Sequence, residues 1–339
     1  MVTNMSVSLQ QSKQARLVDQ ILVLDLWSKL ADTEVGFLES FDVLSSTNIY
    51  YKKFFDKMKN DMLVDGNFNY GVHIKKSKLF HKSVPYFIDS NNSILFGEKI
   101  GRAADIIEME FLLNEKVKQN FLNRDDKEKI MFYEYLAAFE SFRLNSNIAF
   151  KNITNLCKYN RKEILENVVK NLDNNGDNKW TLSKTIKNYK NSFNDFVVGL
   201  IEESNRIRNN NKELVSVRDY FRKTCNLDVL KDERLFYKID KKIEFYNLWG
   251  TLSSLMPVHH SLKIASIVGY PDKDIVDNIV RDVDDGETLY GSLRSQKDYF
   301  PKFITALVEA GEYNADLPKN LHNISSYLAR ESRLKSMLK

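Results

Sequence analysis

His259 and His260 are the only adjacent histidine pair in the chain. A zinc site needs three or four such donors converging on one point. No cysteine or carboxylate cluster accompanies this pair, so it reads as a surface or turn pair. Asp282, Asp284 and Asp285 form an acidic run just before Gly286. Carboxylate oxygens hold calcium when a loop wraps them around the ion. At the end of a helical segment the same run reads as a solvated helix end. Asp173, Asn175 and Asp177 begin like a calcium-binding loop. That loop requires Gly at its sixth position and Glu at its twelfth, and this chain offers Asn178 and Lys184.

Other chemistry fails on the same kind of test. Gly97-Glu98-Lys99-Ile100-Gly101-Arg102 lacks the Gly-Lys-Ser/Thr ending and the preceding strand of a phosphate loop. No Gly-x-Ser-x-Gly element occurs, and no Cys/His pair has an orienting acid. Cys157 and Cys225 are far apart and read as two reduced thiols. We therefore expect no catalytic residue, no metal and no cofactor, and a protein that works by contact with other proteins.

Composition sets the frame for that contact. Apolar residues are 43% and aromatics 12% of 339 residues, enough for real cores, while only 5 Pro and 12 Gly interrupt the chain. Few breakers among many Leu, Ile, Lys, Glu and Asn favour helix over sheet. The 50 basic and 46 acidic residues are intermixed, and their net charge of +4 provides no basic block for nucleic acid. No run approaches the length of a membrane span. The polar stretch 1–14 is not a secretory signal and is expected to be disordered. The default location is the cytoplasm.

Helical spacing recurs along the chain. Val18, Ile21, Leu22, Leu26 and Leu30 form one stripe, broken near Asp32–Gly36. Further apolar helices are expected over 54–63, 79–88, 106–117, 130–150, 193–201 and 214–221. Linkers are expected at 118–129 and 226–233.

The C-terminal part reads as a helical hairpin with a defined turn at each end, at Gly286 and at Gly311-Glu312. Its landmarks repeat. Subtracting 220 takes Gly286, Tyr290, Gly291, Phe300 and Val308 to Gly66, Tyr70, Gly71, Phe80 and Ile88. Subtracting 110 takes Gly286 to Gly176 and Tyr290 to Trp180, and a shift of three residues then brings Phe300 to Phe193 and Val308 to Ile201. Leu248-Trp249 echoes Leu26-Trp27, and Ser261-Leu262 echoes Ser40-Phe41. Solenoid repeats run to about 20–50 residues, so a period near 110 implies tandem small domains. The expected organisation is all-α: a disordered 1–14, then antiparallel helical bundles at 15–120, 128–226 and 235–339.

Pro257-Val258-x-x-Ser261-Leu262, a helix to Gly286, then Leu289, Phe300-Pro301, Gly311-Glu312 and Leu317 together resemble the type II secretion F domain. That domain forms the cytoplasmic parts of inner-membrane platform proteins in type IV pilus and type II secretion machines. The chain departs from the family pattern at Ala315, where a second Gly is expected, and has Asn91-Asn92 and Ser204-Asn205 in place of Gly-Glu in the other copies. Family members carry two such domains and about three membrane helices, whereas three copies and no membrane helix are read here.

The resemblance implies a six-helix bundle per copy and a non-enzymatic platform. It implies docking of a hexameric assembly ATPase and neighbouring subunits, and it leaves room for a homo-oligomer and for peripheral contact with the inner membrane. Gly286, Tyr290, Phe300, Pro301, Gly311, Glu312 and Leu317 are its motif residues. Glu312, the family acid, is expected to cap or pair at a helix junction, with partner docking as its sharper alternative. A helical adaptor unrelated to secretion is the competing reading.

Overall fold

A computed structural model of the chain describes residues 2–33, 35–64, 68–89, 95–141, 146–156, 161–175, 184–189 and 240–338. Gly66, Asn91, Asn92, Cys157, Gly176, Trp180, Phe193, Ile201, Ser204, Asn205 and Cys225 lie outside these residues, as do both ends of the expected 214–221 helix and the 226–233 linker. The described residues are helical, and no strand occurs among them. In chain order the first nine helices are α1 (Val2–Ala31), α2 (Phe37–Thr47), α3 (Lys52–Val64), α4 (Tyr70–Ser77), α5 (Val84–Ile88), α6 (Phe96–Lys118), α7 (Arg124–Ser141), α8 (Ser146–Leu156) and α9 (Arg161–Asn175). They are followed by α10 (Lys241–Ser253), α11 (Val258–Ala265), a 3-10 turn at Ser266–Val268, α12 (Lys273–Asp284), α13 (Leu289–Ser295), α14 (Lys302–Tyr313) and α15 (Leu317–Ser336).

Four expectations change. Helix α7 begins at Arg124, inside the expected 118–129 linker, and the expected 79–88 helix is confined to Val84–Ile88. Residues 2–14 are the start of α1 and not a disordered end. No Gly or Pro interrupts 2–31, so the helix extends back from its buried part, Val18–Leu30. The glycines of 97–101 are inside α6, whose first turn begins ten residues before the expected 106–117 stripe. A methyl on Gly97 would stand 2.0 Å from Asp32 Oδ1, and one on Gly101 2.7 Å from Ser28 Oγ. The two glycines, one turn apart, therefore let α6 approach α1 closely.

The helix bounds recur with the spacing of the sequence landmarks. Adding 220 to α2, α3, α4 and α6 gives 257–267, 272–284, 290–297 and 316–338, against observed Val258–Ala265, Lys273–Asp284, Leu289–Ser295 and Leu317–Ser336. Adding 110 to α7, α8 and α9 gives 234–251, 256–266 and 271–285, against Lys241–Ser253, Val258–Ala265 and Lys273–Asp284.

Compactness divides the chain differently. One unit comprises Met1–Asn69, Leu95–Ala104 and Leu235–Lys339, and the other Tyr70–Ile94 and Asp105–Arg234. The units cut across the segments 15–120, 128–226 and 235–339. The reason is in the packing: α15 lies on α1 and α14 lies on α2. The last two helices of the third segment thus bury a face on the first two helices of the first.

Within the first unit, Trp27 is fully buried and meets Phe41, Phe55 and Phe96 edge-on, with ring centroids 5.8, 5.3 and 5.4 Å away. Trp249 is equally buried and sits 5.4 Å from Phe245. These two tryptophans each anchor an aromatic core, where such pairs add about 0.5–1.5 kcal/mol beyond burial. In the second unit Phe87 of α5 stacks on Phe139 of α7 at 4.8 Å.

Candidate functional site

Five of the seven motif residues of the third segment converge on the corner where α12 ends, α13 begins and α14 turns into α15. Helix α12 stops at Gly286, with φ +97, a left-handed conformation that glycine adopts at little cost. The Glu287 N–H donates to the Asp282 carbonyl at 2.9 Å and the Gly286 N–H to the Val283 carbonyl at 3.1 Å. This pairing satisfies two of the helix's last carbonyls.

Three residues later α13 starts with its first three helical N–H groups accepted by side chains. Glu312 reaches across from α14, and its two carboxylate oxygens accept the N–H groups of Leu289 at 2.9 Å and Tyr290 at 2.8 Å. The Thr288 hydroxyl accepts the Gly291 N–H at 3.0 Å. The Ser292 N–H donates to the Thr288 carbonyl at 3.1 Å, as the first bond of the helix. A negative carboxylate also suits the positive end of a helix. Glu312 is therefore both exposed and fixed in place. Ser292 Oγ in turn donates to Asp282 Oδ2 at 2.7 Å, tying α13 to α12. Asp282 thus has a structural bond, and among the described residues no group of three or more His, Cys, Asp or Glu is placed to hold a metal ion.

Gly311 does not form the turn. It lies inside the last turn of α14, against Leu317, whose Cα would stand 2.8 Å from a methyl at that position. The turn itself falls on Ala315, at φ +54, with the Asp316 N–H donating to the Gly311 carbonyl at 3.0 Å. The expected second glycine of the motif is thus the residue whose conformation calls for one. Leu317 is buried and opens α15. Phe300, 1% exposed, and Pro301 belong to the opposite end of α14, where Pro301 precedes the first helical residue and its missing N–H costs nothing. The structure therefore gathers Gly286, Tyr290, Gly311, Glu312 and Leu317, and leaves Phe300 and Pro301 about 15 Å along the helix axis.

The two helix stops make a matched test. Ala315→Gly should raise stability by about 0.5–1 kcal/mol, since it removes left-handed strain of about 1–2 kcal/mol and adds some unfolded-state entropy. Gly286→Ala should lower stability by about 1 kcal/mol, with no steric contribution because nothing lies within 4 Å of the added methyl. Urea unfolding of both variants reads the sign directly, and equal signs would refute the backbone account. Glu312→Ala should cost about 1 kcal/mol, the usual worth of an N-terminal cap. Glu312→Gln, with one acceptor oxygen, should fall between. Thermal melts check the order.

Side chains around the corner add charge. Arg294 donates to the Tyr290 hydroxyl at 3.1 Å, and its guanidinium lies 5.8 Å from that ring centroid. The Glu309 carboxyl is held above its usual range by partial burial first, then by the charge of Glu39, against the pull of Arg294. The folded form keeps that proton to higher pH than the unfolded chain does. Ionising Glu309 therefore removes stability as pH rises through the interval above the ordinary glutamate value.

The second unit holds a related contact that sequence comparison misses. A methyl on Gly71, in the first turn of α4, would stand 1.5 Å from Asp89 Oδ1, so the Asp89 carboxylate lies against that turn. The repeat arithmetic points to Asn91-Asn92 as the counterpart of Gly311-Glu312, but the acid comes three residues before Asn92. Only the position of Asp89 directly after α5 signals it. Thr288 was more legible, being a Thr three residues before Gly291 at a helix start.

No curated protein matches this chain. Residues 245–339, which include the Glu312 clamp, match the family described as type II secretion system (T2SS), protein F.

Proposed function

We propose that the chain is a non-enzymatic platform component of a type II secretion or type IV pilus-like assembly machine. It holds an assembly ATPase and neighbouring subunits by protein contact. The observation that carries this reading is the family match over the residues that form the Glu312-pinned corner. Tyr290, Glu312 and Tyr313, the last 88% exposed, present that corner outward as a docking surface.

The reading includes three tandem six-helix copies at 15–120, 128–226 and 235–339, supported by the recurring helix bounds. It also includes peripheral placement at the cytoplasmic face of the inner membrane. Among the described residues no helix is long and apolar enough to cross a membrane, so contact there would run through partners or a surface patch.

Co-purification of the full chain with the hexameric ATPase of such a machine is the test. Capture that weakens in Tyr290→Ala while the thermal melt is retained supports the reading. Absence of any assembly-machine protein among the captured partners refutes it and leaves a helical adaptor of another system.

A further inference from the structure

Two links of the first unit carry the same device. Between α2 and α3 stand Ile49, 90% exposed, and Tyr50, whose ring centroid is 5.5 Å from the Arg16 guanidinium. Between α11 and α12 stand Ile267, 81% exposed, and Tyr270, whose ring centroid is 5.7 Å from Lys242 Nζ. Each link thus pairs an exposed isoleucine with a tyrosine that holds a cation from a neighbouring helix. A single exposed isoleucine needs no explanation. The same combination beside two tyrosines 220 residues apart does.

Both links lie at one end of the unit. Arg16 is one turn of α1 from Asp19, whose carboxyl burial holds above its usual range against the pull of Lys335 near the end of α15. Lys335 bonds Glu331 at 2.6 Å. Burial lowers Lys242 from the usual lysine range against the pull of that Glu331, and Lys242 lies over Tyr270. The Glu312 corner is at the other end of α15, roughly 27 Å away along the helix axis.

Cations without partners surround the two isoleucines. Lys52 and Lys53 open α3, and Lys241 opens α10, with its Nζ 2.9 Å from where a methyl on Gly269 would stand. Lys263 is one turn before Ile267. All four lysines are exposed, and none forms an ion pair among the described residues. Three acids of this end are held in bonds. Asp240 accepts the Lys242 N–H at 3.0 Å, Asp272 accepts the Tyr299 hydroxyl, and Glu331 takes Lys335. Helix α1 continues past this end, and residues 2–12 contain no charged side chain, so its outgoing turns add no acid there.

An anionic lipid surface fits this chemistry. Isoleucine enters the acyl boundary, tyrosine rests at headgroup level, and lysine meets phosphate. Protein interfaces are depleted in lysine and keep charge away from their apolar centre, whereas here each isoleucine stands among lysines. We propose that this end of the first unit lies on an anionic phospholipid surface, with Ile49 and Ile267 inserted and Lys52, Lys53, Lys241 and Lys263 on the phosphates. The proposal deepens the peripheral placement given above and rests on it.

Cosedimentation of the full chain with phospholipid vesicles is the experiment. The expected result is binding to vesicles of phosphatidylcholine and phosphatidylglycerol in equal parts, none to phosphatidylcholine alone, and weakening as salt rises. Lys52→Gln with Lys53→Gln should bind about 25-fold more weakly, at about fivefold per cation lost. Ile49→Ser and Ile267→Ser should each bind at least about threefold more weakly, with unchanged melts. No binding to the anionic vesicles overturns the proposal, and so does equal binding to pure phosphatidylcholine. Isoleucine variants that bind as well as wild type also overturn it, because surface charge alone would then hold the lipid. Vesicles that never bind, with an assembly-machine protein lost from the isoleucine variants, mean that this end docks protein, which overturns it as well. ATPase capture is run without vesicles. Failed vesicle binding with capture intact therefore leaves the platform reading in place, and failed capture with vesicle binding intact removes that reading alone.

Discussion

Asp25→Ala should destabilise the protein by about 3 kcal/mol, the lower end of what removing one partner of a buried ion pair costs. Asp25 is on α1, with its side chain 7% exposed. It faces Arg330 of α15 at 2.7 Å, with that side chain 12% exposed, and Lys29 at 3.1 Å, 16% exposed. Both cations lost most of their hydration on folding, and the carboxylate is what offsets it. Taking the carboxylate away leaves positive charge in a poorly solvated seam. Replacing both ends with apolar side chains of similar volume, Asp25→Leu with Arg330→Met, should be near neutral, because it removes the desolvation cost along with the attraction. Urea unfolding of the single and double variants checks both statements. A loss under about 1 kcal/mol in Asp25→Ala would mean the seam is wet enough to solvate the cations, as at an exposed pair.

That pair also marks where sequence reading stops. In sequence Arg330 reads only as a cation towards the end of a helix, where its charge suits the C-terminal end. Its partner is 305 residues away, and no local pattern encodes such a pairing. Trp27 and Trp249 were legible because large aromatics at matching places in helical stripes have few fates other than a core. Gly286 was legible because a glycine after an amphipathic stretch is the common helix stop. The same rule misled at Gly311, which lies inside α14. A glycine serves either a left-handed turn or a close approach, and which of the two depends on what packs against it.

The segmentation shows the same division. Period and helix order are local properties, so six helices with recurring bounds could be expected from landmarks such as Gly286, Tyr290 and Phe300. Whether a run of helices closes on itself or shares a face with a distant segment is decided by side chains far apart in the chain, such as Asn314 against Thr33. Ala315 is the intermediate case. It was noted as a departure from the motif, and the φ of +54 gives that departure a physical cost.

Gly311→Val should cost more than about 3 kcal/mol and Gly311→Ala about 1–2 kcal/mol. A methyl on Gly311 would stand 2.8 Å from Leu317 Cα, 3.1 Å from Leu317 Cδ1 and 3.2 Å from Asn320 Nδ2. The first contact is with backbone, which cannot rotate away. Leu317 is held there by the left-handed Ala315 and by the Asp316 N–H bond to the Gly311 carbonyl. Leu317 and Asn320 are also buried, at 6% and 2% exposed, so relief requires opening the α14–α15 corner. Alanine gains about 0.5–1 kcal/mol of helix preference over glycine at this position, which offsets part of the steric cost and sets the smaller value. Valine adds a branched side chain and leaves no such margin. Gly36→Ala is the control: its φ is −55 and nothing lies within 4 Å of the new methyl, so its stability should change little. Chemical denaturation of the three variants gives the comparison. A Gly311→Ala protein as stable as wild type would show that the corner yields freely, and the close approach of α15 would then not be what fixes glycine at this position.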